Sequence, residues 1–512
     1  MDIQILNEIV KNILSMSKTV IILTISLLSA ICLFGSMLGT RVNCSISGSQ
    51  AAEELNNLRK IAEKKSAYVN VRYRRFDKAF AKLDSFLQKK ESITKKEIEI
   101  AVTNVLGELG DRHSRAKYIG DCRPDKFYLP FSIAPWKEDK ILALSSMKDD
   151  SLYSFVLNGF PFLKSINDIE VKKYIYEYNL KDKYAPTRSR LARGVSRLYR
   201  FYSVAPSIAY GDTLRFTFSS WDEKSDTTLQ LPLSRHNRKW RDVCDAHYDI
   251  ENPKSLKLMA STLSNNIGYI RIPEMFGRRK NEEYFDWLSK AMEKNRNANA
   301  LILDIRNNSG GQRELLFFFA NYFLEKNEYH VANLVRFRDK ITDSERKRLE
   351  IRNIKSYEEH NKEAKDAISK FMKNFRPSIE LDENKFTDYF YMVLRNDNSA
   401  EKYHFNKPIY ILQNEKSASA ASVFASSFKG YPNIHLAGVK ADGSSGMSQA
   451  YRLPLTELEI RWSRMISYQS TGELFDGDGV AVDYELERSI NQILGMEDTQ
   501  LKALCDIINS NI

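Results

Sequence analysis

From Ile267 onward the apolar residues alternate between two patterns. IGYIRIPEMFG reads as a strand, and EEYFDWLSKAMEKNRN has the spacing of an amphipathic helix. ALILDI is a short continuous apolar run, as expected of a fully buried strand. RNNSGG then makes a tight glycine turn, and RELLFFFANYFL a helix. After a charged helical insertion, Asp339 to Asn374, the same unit recurs. PIYIL is a buried strand, Gln413 to Lys416 a polar turn, and SASAAS opens a helix that runs through VFASSF. IHLAGV is a further strand, and ADGSSG a glycine- and serine-rich loop. Strand–helix alternation of this kind predicts an α/β layer with parallel strands. The first half of the chain reads differently. Glu53 to Gly120 has helical spacing, with Thr94 and Glu97 forming a capping box and Gly110 ending the helical stretch. Phe127 to Arg235 changes to short alternating strands, closing in a hairpin with its turn near Trp221 to Ser225. Asn237 to Ser264 reads as a linker.

Composition narrows this picture. The 512 residues suffice for two to four domains, and 43% hydrophobic residues suffice for a real core. The net charge of +11 is spread through mixed-charge helices and not gathered with aromatics on one stripe, so a nucleic-acid partner is not implied. Thr19 to Gly39 carries no charge and lies between Lys18 and Arg41. It is long enough to span a bilayer and also fits a long signal peptide. Either way, the chain beyond about Cys44 is expected outside the cytoplasm, with the membrane a possible partner through this segment. Cys32 follows Ala30-Ile31, which does not fit a lipidation site. None of the five cysteines has metal-ligand spacing, and no zinc motif or cofactor is implied. Whether Cys122 pairs with Cys244 or the thiols stay isolated is left open by the sequence.

Candidate chemistry centres on the recurrent strand–turn–helix unit. A serine at a helix N-terminus after a tight turn exposes its hydroxyl, and the unpaired N–H groups of the first helical turn can hold an oxyanion. Ser419 is the candidate nucleophile, although Ser417, Ser419 and Ser422 also suit capping and packing roles. The glycines of the other corner, Gly310 and Gly311, expose backbone N–H groups or simply turn the chain. His113 and Ser114 lie in the polar turn LGDRHS, where a histidine matters only with a serine to serve.

Two resemblances follow from these motifs. LKSINDIEV before a helical YIYEYNL resembles the core of a PDZ-like domain, with Gly159, Leu163, Ile166 and Asn167 close to its pattern and an insertion at roughly Lys181 to Ser207. The order LGDRHS, PDZ-like region, GYIRIP with LILDIRNNSGG, and PIYILQNEKSASAAS with GDGVAVD resembles the tail-specific (C-terminal processing) serine peptidase superfamily. The resemblance implies a ClpP/crotonase-like α/β catalytic domain, preceded by a helical region and a PDZ-like β-rich domain. The boundaries are then 1–48 for a signal peptide or membrane anchor, 49–125 for the helical region and 126–236 for the PDZ-like domain. A linker at 237–264 and a catalytic domain at 265–512 follow, with the charged insertion near 339–374.

The resemblance also implies roles. Ser419 matches the nucleophile. The N–H of Ala420 and of a turn glycine, Gly310 in preference to Gly311, match the oxyanion hole. Gly159, Leu163 and Ile166 match the peptide-binding module. Ser444 stands where the processing branch has its catalytic lysine, and Lys440 lies four residues earlier. The chain therefore looks like the tricorn-like branch, with His113 as base and Ser114 beside it. Asp476 fits the acidic position best, Glu473 is the neighbouring candidate, and Asp483 matches a structural aspartate. No metal is implied. The expected function is a serine endopeptidase acting outside the cytoplasm on peptides or proteins. A non-catalytic peptide- or lipid-binding scaffold and a membrane-anchored PDZ-like interaction protein are the alternatives.

Overall fold

The computed structural model describes residues 44–511 apart from 123–125, 138, 147–151, 178–182, 206–207, 209–210, 236–259 and 397–402. The apolar leader, Cys32, Cys244 and most of the 237–264 linker lie outside the described residues. Among the described residues no helix is long and apolar enough to cross a membrane. Ile46–Gly120 and Pro124–Ile512 form one compact unit. Cys44 and Cys122 belong to a second, small unit and are joined by a disulfide. Cys122 thus pairs with Cys44, which corrects both readings open from the sequence, a Cys244 partner and an isolated thiol.

Three helices open the main unit: α1 (Gly48–Lys65), α2 (Phe76–Gln88) and α3 (Lys95–Gly107). Both halves of the Thr94–Glu97 capping box are formed at the start of α3. Beyond α3 the chain turns through Gly110, whose φ of +71° is left-handed, and enters strand β1 (Arg115–Tyr118). A seven-stranded antiparallel sheet follows. Its main strands are β2 (Ser132–Trp136), β3 (Lys140–Ser146), β4 (Phe162–Ile166), β5 (Thr213–Ser219) and β6 (Asp226–Pro232). Helices α4 (Val171–Tyr176) and α5 (Thr187–Leu198) pack on it. This is the PDZ-like module. The α5 region, an interruption by its sequence, is integral to the fold: Leu191, Val195 and Leu198 are fully buried in the module's core.

The C-terminal half is built on a six-stranded sheet. Strand β7 (Ala260–Leu263) pairs antiparallel with β8 (Ile267–Arg271). From β8 the sheet runs parallel through β9 (Ala300–Asp304), β12 (Ile409–Gln413), β13 (Ile434–Gly438) and a short last strand at Tyr484–Glu485. All residues of β9 and β12 are buried, which explains their unbroken apolar sequence. Alternation sends Leu301, Leu303, Ile409 and Ile411 to one face and Ile302, Tyr410 and Leu412 to the other. The first face is covered by α6 (Glu282–Lys294) and α7 (Glu314–Phe323), and the second by the C-terminal helix Thr499–Asn511.

A four-stranded antiparallel sheet packs beyond α7. It contains β10 (Tyr329–Phe337), β11 (Phe390–Arg395), a short strand at Lys355–Ser356 and the strand Met465–Gln469. The charged insertion between β10 and β11 forms α8 (Asp343–Ile351) and α9 (Lys362–Met372). Its other face shares a core with α1–α3, where Leu58, Phe76 and Val102 meet Leu334, Trp462 and Tyr468. Strand β1 joins a three-stranded sheet with Leu458–Ser463 and Ser448–Leu453. The turn carrying His113 is thereby carried to the C-terminal half.

Candidate active site

The site lies at the carboxyl ends of the parallel strands β9 and β12, where open α/β sheets place their ligands. Two turns leave these strands side by side and bind each other. Asn307 N–H donates to Asn414 Oδ1 at 2.9 Å, Asn414 Nδ2 donates to Asn307 Oδ1 at 2.8 Å, and Ala418 N–H donates to Asn308 O at 3.0 Å. Ser417 Oγ donates to Ile305 O at 2.8 Å. Ser417 and Ser422 are therefore structural: both hydroxyls are spent on backbone carbonyls.

Ser419 stands apart from them. It is the N-cap of α10 (Ala420–Ser427) and makes no side-chain capping bond. Its φ of 54° and ψ of −123° are strained for a residue with a Cβ. Such a conformation costs about 1–3 kcal/mol and persists only where the surroundings enforce it. Here the loop after β13 enforces it: Ser419 N–H is shared between Gly443 O at 3.0 Å and Ser444 Oγ at 3.1 Å. The result is a half-buried serine raised on a strand–helix elbow.

Gly310 packs directly on this elbow. A Cβ at Gly310 would lie 2.7 Å from Ser419 Cβ, 2.8 Å from Ala418 O and 2.9 Å from Ala420 N, and its φ of +102° excludes ordinary side chains. Its N–H, however, is not free. It donates to Asn308 Oδ1 at 2.9 Å in an Asx-type turn. The expectation that Gly310 presents an unengaged oxyanion donor is corrected for this form of the protein. Gly311 pairs with Met275, and Ala420 N–H heads the first turn of α10 beside Ser419.

The histidine turn is held by Asp111. This buried carboxylate accepts His113 N–H at 2.9 Å, Ser114 Oγ–H at 2.7 Å, Ser463 N–H at 2.6 Å and Ser463 Oγ–H at 2.8 Å. It clamps the turn to the strand Leu458–Ser463. Ser114 thus serves Asp111 and does not bridge the imidazole to a distant acid. The ring of His113 packs against Gly446, where a Cβ would approach Nδ1 to 2.5 Å. Among the described residues His113 Nδ1 has no hydrogen-bond partner, and it lies 4.0 Å from Asp111 Oδ1. Burial pushes the imidazole down to about 4; Asp111 opposes this, and Arg112 and Arg352 add to it.

Asp476 and Glu473 separate clearly. Glu473 is exposed and its side chain bonds Thr471. It does not approach His113, so this expectation is corrected. Asp476 is buried and accepts Arg112 N–H at 3.0 Å, Tyr68 O–H at 3.0 Å and Ser445 N–H at 3.2 Å. Burial, and after it the charge of Asp111, pushes Asp476 up to about 7. Asp111, His113 and Asp476 offer polar atoms within 4.8 Å of one another. Every carboxylate oxygen in this group already accepts an N–H or O–H. The donor set therefore describes a hydrogen-bonded frame around the imidazole more than a cation cage.

The loop Asp442–Gly446 joins the two halves of the site. Ser444 touches the Ser419 backbone, Ser445 touches Asp476, and Gly446 touches His113. Asp442 pairs with Arg112 at 2.9 Å and with Arg193 of α5, linking the PDZ-like module to the loop. No hydrogen bond joins Ser419 Oγ to His113 among the described residues. Lys440 is exposed and packs beside Gly479. In the PDZ-like module Gly159 borders open space and Leu163 edges a cavity of about 190 Å³ between β4 and α4. Ile166 is fully buried in the module's core, so its expected place in a peptide groove is corrected.

Residues 266–486 match Peptidase family S41. The chain carries a peptidase family S41 domain. It is a serine-type peptidase, and the family match spans the α/β domain and not the PDZ-like module. No curated protein matches the chain. Among solved structures, mature CPAF is 14% identical, with a TM-score of 0.64 over 91% of this chain and 98% of that one. Mature CPAF complexed with lactacystin gives 14% identity and a TM-score of 0.63 over 91% of this chain and 99% of that one. At such identity the likeness is one of fold.

Sequence reasoning missed Asp111, Tyr68 and Ser463. Asp111 stands in the quoted Asp-x-His-Ser turn, so its position was visible although its clamping role was not. Tyr68 and Ser463 come from segments far apart in the chain, and no spacing rule connects them.

Proposed function

We propose that the S41 domain works as an endopeptidase through a Ser419 acyl-enzyme, with His113 as general base, and that it does so outside the cytoplasm. The strained Ser419 elbow carries this reading, because a loop that holds its backbone also packs against His113 at its other end. In the reaction His113 takes the Ser419 proton as Oγ attacks the peptide carbonyl, then returns it to the leaving amine. Ala420 N–H stabilises the oxyanion, joined by Gly310 N–H once its bond to Asn308 Oδ1 yields, or by Gly311 N–H. Asp111 and Asp476 fix the turn and loop that orient the imidazole. The missing Ser419–His113 bond means that substrate must draw the two together, as catalytic bonds in free enzymes commonly tighten on binding. Extracellular or periplasmic action is supported by the apolar leader and by the Cys44–Cys122 disulfide, a bond that persists in oxidising compartments.

The test is labelling with a fluorophosphonate probe. Wild-type protein is expected to react, and Ser419→Ala and His113→Ala are not. A folded wild type that stays unlabelled in the presence of peptide would sink the acyl-enzyme reading and favour a binding scaffold.

Two further outcomes follow from the geometry. An imidazolium cannot accept the serine proton, so activity is lost as pH falls through the His113 pKa. With that pKa pushed down to about 4, kcat/KM should not decline between pH 8 and pH 6 through this group. A pH–rate profile checks it, and an acid limb centred near 6.5 would contradict it. Gly310→Ala should lower kcat by about 10²–10³, the scale of losing an oxyanion donor, because the added Cβ meets backbone atoms that cannot swing aside. Steady-state kinetics on the folded variant would decide this.

A further inference from the structure

Two arginines meet the loop that connects nucleophile and base, and a third meets the strand that follows it. Arg313, at the start of α7 just past the Gly310–Gly311 turn, donates from Nη2 to Ser445 Oγ at 2.9 Å and from Nη1 to Asn333 Oδ1 at 2.8 Å. Arg352, at the end of α8, donates to Gly446 O at 3.2 Å, and Gly446 is the residue against which the His113 ring packs. Arg348, one helical turn earlier, donates to Ser448 O at 3.1 Å.

Arg313 and Arg352 feel no carboxylate, and Arg348 only the partial offset of Glu345. Among the described residues none of the three forms an ion pair with a carboxylate, whereas Arg112 and Arg193 beside them share Asp442 and Arg464 is paired with Glu345. Arg313 is buried, which normally demands a partner of opposite charge. The three guanidinium groups sense one another. Burial, then the charge of Arg352, pushes Arg313 well down; burial, then Arg348, pushes Arg352 down to about 10. Arg348 and Arg352 each use one N–H on a backbone carbonyl. Roughly four of the five guanidinium donors then remain on each, in a planar fork suited to a carboxylate. Arg313 and Arg352 thus stand beside the reactive loop with no carboxylate among the described residues paired to them.

We propose that Arg313, Arg348 and Arg352 form a subsite for a carboxylate on the substrate chain, so that the peptidase selects peptides with an acidic residue close to the bond it cleaves. This rests on the peptidase reading above for its meaning, though not for its test. Arg313 sets the positive field from beneath the loop. Arg352 and Arg348, carried by the α8 insertion, make the direct contact. The same chemistry is offered by an aspartate or glutamate side chain and by a peptide's terminal carboxylate, and the experiment separates them.

Ser419→Ala protein would be titrated with fluorescein-labelled alanine-based octapeptides at low salt, followed by fluorescence anisotropy. One Asp is walked through the sequence, with Asn at the same place as control, and each peptide has a free or an amidated C terminus. The expected result is at least about tenfold tighter binding of the Asp peptide than its Asn partner in one register, unaffected by amidation and weakened by added salt. Arg352→Gln and Arg348→Gln should bring that preference within about twofold, and Arg352→Lys should retain part of it. A preference that follows only the free C terminus and is lost in Arg352→Gln also supports the subsite, with the chain end as its ligand. The proposal is overturned if Asp and Asn peptides bind alike in every register, if none binds, or if the preference survives both arginine substitutions. Fluorophosphonate labelling of the wild type reads the other question. Labelling without a carboxylate preference removes the subsite alone, and a preference without labelling removes the acyl-enzyme mechanism alone.

Discussion

Ser419→Ala is expected to lower kcat on a peptide substrate by about 10⁵–10⁶, and His113→Ala by a similar factor. The double variant should be hardly worse than either, because nucleophile and base act as one unit and the first loss removes what the second would cost. Steady-state kinetics on the three proteins measures this, and multiplying losses would mean that the two residues act independently. A second measurement separates chemistry from strain. The φ of 54° at Ser419 is unfavourable for any residue with a Cβ and easy for glycine. Ser419→Gly should therefore be as inactive as Ser419→Ala yet about 1 kcal/mol more stable than it in a denaturant titration. Equal stabilities would show that the elbow is not strained, and that the loop bonds to Ser419 N–H have nothing to hold down.

The contrast between Ser419 and Ser417 explains what the sequence could and could not disclose. The buried strands Ala300–Asp304 and Ile409–Gln413, and the turns that follow them, were legible because local rules dictate them: an unbroken apolar run, then small residues, then a helix. Which serine stands on the elbow was suggested by the turn before the helix, left open by the capping roles that Ser417 and Ser422 also suit, and sharpened by the motif order. The pairing of Gly310 with the elbow was legible in outline, but the engagement of its N–H by Asn308 was not, since one peptide orientation decides it. The frame around His113 was hidden for another reason. Tyr68, Asp111, Ser463 and Asp476 come from four separate segments and meet only through packing of α1–α3 against the four-stranded sheet. Arg352 was hidden inside an insertion that reads as ordinary charged helix. Its significance is the absence of a carboxylate partner among the described residues, which is a property of three dimensions. Cysteine pairing was hidden likewise: Cys44 and Cys122 are 78 residues apart, and proximity alone selects them.

Arg306→Ala is expected to be the most destabilising single change outside the site, at about 3–5 kcal/mol, the usual loss when one partner of a buried ion pair is removed. Arg306 is 2% exposed and lies at the end of β9, at the head of the RNNSGG turn. Its Nε donates to Asp304 Oδ1 at 3.0 Å and its Nη2 to Asp304 Oδ2 at 2.7 Å, while Nη1 and Nη2 reach Asp498 at 2.8 and 2.7 Å. Asp304 is fully buried. Removing the guanidinium takes away the donors it places on both carboxylate oxygens; the Tyr269 O–H at 2.8 Å and the backbone N–H of residue 306 at 3.0 Å, which also donate to Asp304, carry no charge. The Arg271 charge still favours the ionised form, but burial outweighs it and pushes Asp304 up to about 7 even with Arg306 in place. Adding Asp304→Asn to Arg306→Ala should recover part of the loss, because the poorly compensated charge and not the missing contact is the larger cost. Denaturant titration of the single and double variants checks the order; a double variant less stable than the single would reverse the argument. The effect should also reach the chemistry. The turn that Arg306 begins carries Asn307, Asn308 and Gly310, which bind the elbow turn and pack against Ser419. At a temperature where the Arg306→Ala protein is still folded, its kcat should therefore fall further than that of a surface substitution of equal stability cost, since loosening this anchor lets the two turns that form the site separate.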